Sequence, residues 1–220
     1  MRRTSTSCGR NRFLLAYVWL WRRNSALARK EFDKVLALNR DRIIDTAGAL
    51  FRAKGFGGIG VADIMKAAEL THGGFYGHFA SKDDLIAQAS RRSMQRAAQN
   101  WKKVVAESGS DAFATLLTRY LSPRHRDDPG QGCAFAALSG DAARCGKPVR
   151  EAFAEGLEPL IDILSGIVGG RTRAARRRKA IAALSELIGA LILSRAVGNG
   201  GLSDEILDAG RRELLAAAER

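Results

Sequence analysis

The sequence is poor in the residues that build disulfide frameworks, metal sites and turn-rich folds. It holds three cysteines (Cys8, Cys133, Cys145), three histidines (His72, His78, His125) and four prolines in 220 residues. An odd, widely spaced trio of cysteines excludes a disulfide-stapled fold and suits a reducing compartment. The cysteines and histidines nowhere share metal-ligand spacing, so no metal and no cofactor is expected. The glycines at 57, 58 and 60 lack the lysine of a phosphate loop, and no nucleophile, base and orienting group can be combined, so an enzyme is not expected. Long apolar runs are missing too. The longest, Phe13 to Trp21, has nine residues against the roughly 20 that span a bilayer, and no membrane partner is expected.

What is abundant is positive charge. The formal net charge is +13, which favours an anionic partner such as nucleic acid. Residues 1–40 carry +8 of it, so the rest of the chain is only mildly basic. A basic start, the apolar run and Ala26-Leu27-Ala28 imitate an export signal, but Arg22 and Arg23 interrupt it, and a cytoplasmic protein is expected. Residues 1–38 read as an N-terminal extension, with a downstream translation start as the alternative reading.

From Asn39 onward apolar residues recur at three and four spacing, the pattern of an all-α protein. Asn39 is the expected N-cap of a first helix bearing Ile43, Ile44, Ala47, Leu50 and Phe51, closed by Gly55. Val61, Ile64, Met65 and Ala68 form the inner face of a short second helix. Thr71 caps a third, running to about Phe79. Ser81 and Asp84 make a capping box that opens a long fourth helix to about Ser108. A fifth follows Asp111, and the polar stretch from Pro123 to Gly132 reads as a loop. A short helix starts at Cys133, a longer one runs from Pro148 to Val168, and two more span 173–197 and 203–218. The 173–197 helix is apolar on more than one side and needs cover on both faces. With the final helix it is expected to form a homodimer interface, with Leu191 and Leu214 as its representative contacts.

Val61 to Leu85 carries the functional signal. Two short helices about a tight turn, followed by a capped long helix, have helix-turn-helix spacing. The third helix must enter a major groove about 12 Å wide. Thr71 and His72 offer hydrogen-bonding groups at its start, Gly73 and Gly74 permit close approach, and Tyr76, His78 and Lys82 reach phosphate oxygens. Phe75-Tyr76-Gly77-His78-Phe79, then Ser81-Lys82 and Leu85, with Ile64, Ala47, Phe51 and Gly55 in register, resemble the TetR family of one-component bacterial repressors. Two positions depart from that pattern: Gly60 replaces the usual Ser or Thr, and Glu69 the usual Gly. Glu69 either takes a left-handed turn at a cost of roughly 1 kcal/mol or stands in a slightly different turn.

The resemblance implies three-helix head and helical body: residues 39–85 for DNA binding, and 86–220 for ligand binding and dimerisation. It implies a homodimer on a double-stranded DNA operator, probing it through the third helix, with a small-molecule inducer held in the body. Trp101, Phe113, Tyr120 and Cys133 are the candidate ligand-binding or sensing residues. Cys133 follows Gly132 at an expected helix start, where the positive helix end favours the reactive thiolate. That placement resembles the electrophile-responsive branch of the family. The function expected is therefore a sequence-specific transcriptional regulator, a repressor released by a small-molecule or electrophile inducer; a helical small-molecule-binding protein without DNA binding is the alternative.

Overall fold

A computed structural model describes residues 26–218, with side chains from residue 29. Cys8 and the Phe13–Trp21 run lie outside the described residues. The chain divides into two units, residues 1–42 and 43–220. Among the described residues every regular element is helical, as the apolar spacing requires. None of those helices is long and apolar enough to cross a membrane.

The α-helices are α1 (Ala26–Lys54), α2 (Val61–Ala67), α3 (Lys82–Ser108), α4 (Ala112–Tyr120), α5 (Pro123–Asp127), α6 (Ala134–Ala142), α7 (Lys147–Ile167), α8 (Arg173–Ala196) and α9 (Gly201–Ala218). The first helix begins earlier than its expected cap. Asn39 lies inside α1, because no glycine or proline interrupts residues 26–47 and an established helix propagates until something stops it. The stop is Gly55, at φ 76°, whose amide bonds the Phe51 carbonyl at 2.7 Å. At the other end of the head, the Ser81 hydroxyl accepts from the Asp84 amide at 3.1 Å, and the Asp84 carboxylate accepts from the Ala80 amide. This is the capping box at the start of α3, with the return bond displaced by one residue.

In the body, α3 packs along α7, and α7 and α9 flank α8. The α3–α7 crossing is close at Gly156, where a Cβ would stand 2.4 Å from the Met94 sulfur. Only the missing side chain allows that approach. Met94, Leu160, Leu164, Leu187 and Leu191 are fully buried in the core of the body. Pro159 sits within α7 without ending it.

Two expectations change. The stretch from Pro123 to Gly132 is ordered as α5 and a 3-10 turn, Pro129–Gln131. Each begins with a capping side chain before a proline: Ser122 accepts from the His125 amide, and Asp128 from the Gln131 amide. A cap followed by proline at the first helical position starts a helix as readily as it breaks one. Leu191 and Leu214 are core residues of the single chain, 0% and 4% exposed, and are not free for a partner. The apolar residues that α8 and its neighbours leave outside are Ile181, Ile192, Leu193, Val197 and Leu202.

Glu69 has φ 59°, in the left-handed region, between α2 and the residues that follow. Its side chain is exposed, so nothing but the backbone is at stake there. Glu69→Gly should raise stability by about 0.5–1 kcal/mol by removing the Cβ penalty, read as a higher melting temperature. A fall in melting temperature would show that the turn does not carry the strain its dihedral implies.

Candidate nucleic-acid interface and adjoining cavity

The turn at Glu69 sets α2 against the next element. Ala68, Glu69 and Leu70 donate to the carbonyls of Ile64, Lys66 and Met65, at 2.9, 3.0 and 2.9 Å. The expected third helix is a 3-10 helix, His72–Gly77. Three glycines in six residues disfavour the α form, and 3-10 geometry survives in such short pieces. Thr71 stands at its N-cap, yet the hydroxyl makes no capping bond; the Gly74 amide bonds the Thr71 carbonyl instead, at 3.0 Å. Phe75 and Phe79 stack at 5.5 Å and are buried in the head core. Their inward direction turns Thr71, His72, Gly73 and Tyr76 outward. Tyr76 is 71% exposed, and its ring stands edge-on to His72 at 6.5 Å. Gly74 and His78 are half-buried at the same rim.

Lys82 has a further job. Its ammonium donates to the carbonyls of Phe56 and Ile59 at 2.6 and 2.8 Å, fastening the turn after α1 to the start of α3. One of the three ammonium hydrogens remains for another acceptor. The turn is held from the other side by Asp141 of α6, which accepts from the Phe56 amide at 2.9 Å.

Beside the head lies a cavity of about 350 Å³. Trp101, Tyr120 and Cys133, three of the four expected ligand residues, line it; Phe113 is buried outside it. Its apolar wall adds Ile44, Val104, Leu116 and Leu160. Its polar wall holds Arg52, Arg92, Arg96 and Arg119 against one carboxylate, Asp45. Sequence reading missed these arginines because they come from three separate helices and no local pattern joins them.

Cys133 is the N-cap of α6 and is 8% exposed. Its amide donates to His125 Nε2 at 3.0 Å, while His125 Nδ1 bonds the Tyr120 carbonyl at 2.8 Å. Accepting at Nε2 makes Nδ1 the protonated nitrogen, so His125 is neutral here. Behind it, Arg195 donates to the carbonyls of His125 and Arg126 at 2.6 and 3.0 Å. Arg126, itself buried, reaches Asp204 and Ser203 of α9 at 2.6 and 3.0 Å. A methyl group on Gly132 would lie 2.8 Å from the Arg195 guanidinium, so the floor of the cavity is closely built. Burial, and the Cys133 thiol beside it, hold the Tyr120 phenol well above its usual pKa.

Burial lowers the His125 pKa, and Arg195 adds to the effect against the Tyr120 carbonyl bond. The unfolded chain therefore takes up this proton first as pH falls. The stability from neutral His125 is complete above about pH 6.5 and declines below it toward the lowered folded value. Melting curves from about pH 8 to 5.5 should show that decline, and His125→Gln should show less of it. Equal declines would remove His125 from the account.

Residues 43–89 match the family model described as bacterial regulatory proteins, tetR family. The HTH-type transcriptional repressor NemR of Escherichia coli is 25% identical over 130 residues, 57% of this chain and 65% of that one. The HTH-type transcriptional repressor DhaR of a Mycobacterium species is 24% identical over 192 residues, covering 82% and 94%. The alignment with NemR thus spans just under two thirds of that repressor's length. The crystal structure of reduced E. coli NemR superposes with a TM-score of 0.69 at 20% identity, covering 80% of this chain and 94% of that one, which places the fold. The head, residues 43–89, thus matches the tetR family of bacterial regulatory proteins, and the helical fold of the whole is similar to that of the solved relatives.

Proposed function

We propose that the chain is a cytoplasmic, sequence-specific DNA-binding repressor, active as a homodimer and released from its operator by a small molecule or electrophile that enters the cavity. Residues 39–85 act as the DNA-binding head and 86–220 as the ligand-binding and dimerisation body. The observation that carries this reading is the exposed rim of Thr71, His72, Gly73 and Tyr76, built on a buried Phe75–Phe79 pair in a helix-turn-helix frame. Thr71 and His72 face the bases, Gly73 and Gly74 give the backbone its approach, and Tyr76, His78 and the remaining ammonium hydrogen of Lys82 hold phosphates. Ile181, Ile192, Leu193, Val197 and Leu202 supply the apolar face for a second copy. Pairing sets two heads about 34–36 Å apart for successive major grooves.

Gly73 separates a groove contact from a folding role. It has no positive φ, and a methyl group there meets nothing within 4 Å. Gly73→Ala should keep the wild-type melting temperature while weakening binding to the DNA flanking its own gene by about ten-fold or more, since each lost close contact is worth roughly 1–3 kcal/mol. Unchanged affinity in a gel shift would move the DNA surface elsewhere.

Cys133 supports the electrophile branch of the reading, being the cysteine that lines the cavity and adjoins Arg52. Burial, then the carboxylates of Asp83 and Asp141, push the Cys145 thiol up and away from the reactive form. N-ethylmaleimide should therefore release DNA from the wild type and from Cys145→Ser, but not from Cys133→Ser. Equal release from all three would leave a reversible ligand as the inducer.

A further inference from the structure

The cavity beside Cys133 carries more positive charge than its own residues neutralise. Asp45, its one carboxylate, is taken by Arg96 at 2.7 Å and Arg92 at 3.3 Å. Arg52 is bonded to neutral groups, the Gly130 carbonyl and the Ser93 hydroxyl. Burial lowers its pKa as the leading effect, yet a guanidinium stays charged, so a half-buried cation faces the cavity without a carboxylate bonded to it. In the same cavity lining, Tyr120 is 4% exposed, and its hydroxyl has no hydrogen-bond partner of good geometry among the described residues. Both groups adjoin the Cys133 thiol. A buried hydroxyl without a partner is destabilising, and a ligand oxygen would recover that loss. The apolar part of the lining holds Trp101, edge-on to Tyr120 at 5.9 Å, together with Leu116 and Leu160.

We propose that this cavity binds a small organic acid, its carboxylate held by the Arg52 guanidinium and the Tyr120 hydroxyl and its apolar body lying against Trp101, Leu116 and Leu160. The inference rests on reading the cavity as the inducer site and names the chemical class that site takes. A carboxylate matches a guanidinium in a paired hydrogen bond, which a neutral ligand of the same shape does not. Occupancy has a built-in consequence. Arg52 belongs to α1, and three of its five N–H groups already hold Gly130 and Ser93, so a carboxylate pairing with the same guanidinium pulls on the joint between α1, residue 130 and α3.

The test is titration calorimetry on the DNA-free full chain, with 4-phenylbutyrate as probe and 4-phenylbutanol as its neutral counterpart. The acid should bind saturably at one site per chain, and the alcohol about ten-fold more weakly or worse, the difference expected for a charge-assisted bond. Arg52→Gln and Tyr120→Phe should each weaken the acid by about ten-fold while leaving the alcohol unchanged. Tyr120→Phe deletes an unpartnered hydroxyl and keeps the ring, so it stays informative if Arg52→Gln does not fold. Equal binding of the two probes, no binding of the acid to wild type, or wild-type affinity in Tyr120→Phe would each overturn the proposal. A gel shift on the same preparations keeps the two readings apart: operator binding with no acid binding sinks only the ligand class, and acid binding with no operator binding sinks only the DNA reading.

Discussion

The Arg52 guanidinium joins α1, the first helix of the head, to the segment that lines the cavity at Gln131–Cys133. It leaves α1, bonds the Gly130 carbonyl and reaches Ser93 on α3. A lysine could not do this, because one ammonium cannot present the planar fork that serves both acceptors. The arrangement is costly, since it keeps a cation partly desolvated, and it persists because the carbonyl at 130 is itself fixed by the capped turns on either side of it. Ser122 and Asp128 cap those turns, Arg195 clamps the carbonyls at 125 and 126, and Arg126 ties the same segment to α9. Head, cavity floor and the last two helices are thus linked through one polar chain in an otherwise apolar core.

The turn between α1 and α2 is held with equal care. Gly55 takes the left-handed conformation, Lys82 fastens the carbonyls of Phe56 and Ile59, and Asp141 fastens the Phe56 amide. Backbone groups in a turn must find partners when water is excluded, and here the partners come from α3 and α6. The position of the turn that leads into α2 therefore depends on α3 and α6. Any movement of α6, which begins at Cys133 and carries Asp141 at its far end, is felt at the turn.

Much of this was legible in the sequence, and the limits have physical causes. Periodicity placed the long helices, and the aromatic run from Phe75 to Phe79 located the head, because each aromatic alternates between core and rim. Glu69 betrayed its left-handed turn by standing where glycine is usual. The start of α1 was misplaced because Asn39 is a good cap but also a tolerated helix residue, and only the absence of a breaker upstream decides between them. Leu191 and Leu214 read as interface because a helix apolar on two sides does not say which side its own chain covers. Arg52, Arg126 and Arg195 were invisible as a group: each has a carbonyl or side-chain partner 70 or more residues away, and long-range polar pairing leaves no local pattern.

The energetic scale of the Arg52 contact fits the task proposed for it. Effectors in allosteric proteins shift affinity by coupling free energies of about 1–3 kcal/mol, and one hydrogen bond to a charged group contributes about 1.5–3 kcal/mol. If a bound anion weakened even one of the bonds from this guanidinium to Gly130 and Ser93, the change would be large enough to bias the head without unfolding anything. An adduct on Cys133 would act by another force on the same joint. It adds volume at the start of α6, where the backbone is pinned to His125, and the displacement passes along a nine-residue helix to Asp141 and the Phe56 amide. On the proposed reading, one input would draw on a bond from α1 and the other would push on the helix that holds the end of α1, so both would meet at the turn between α1 and α2.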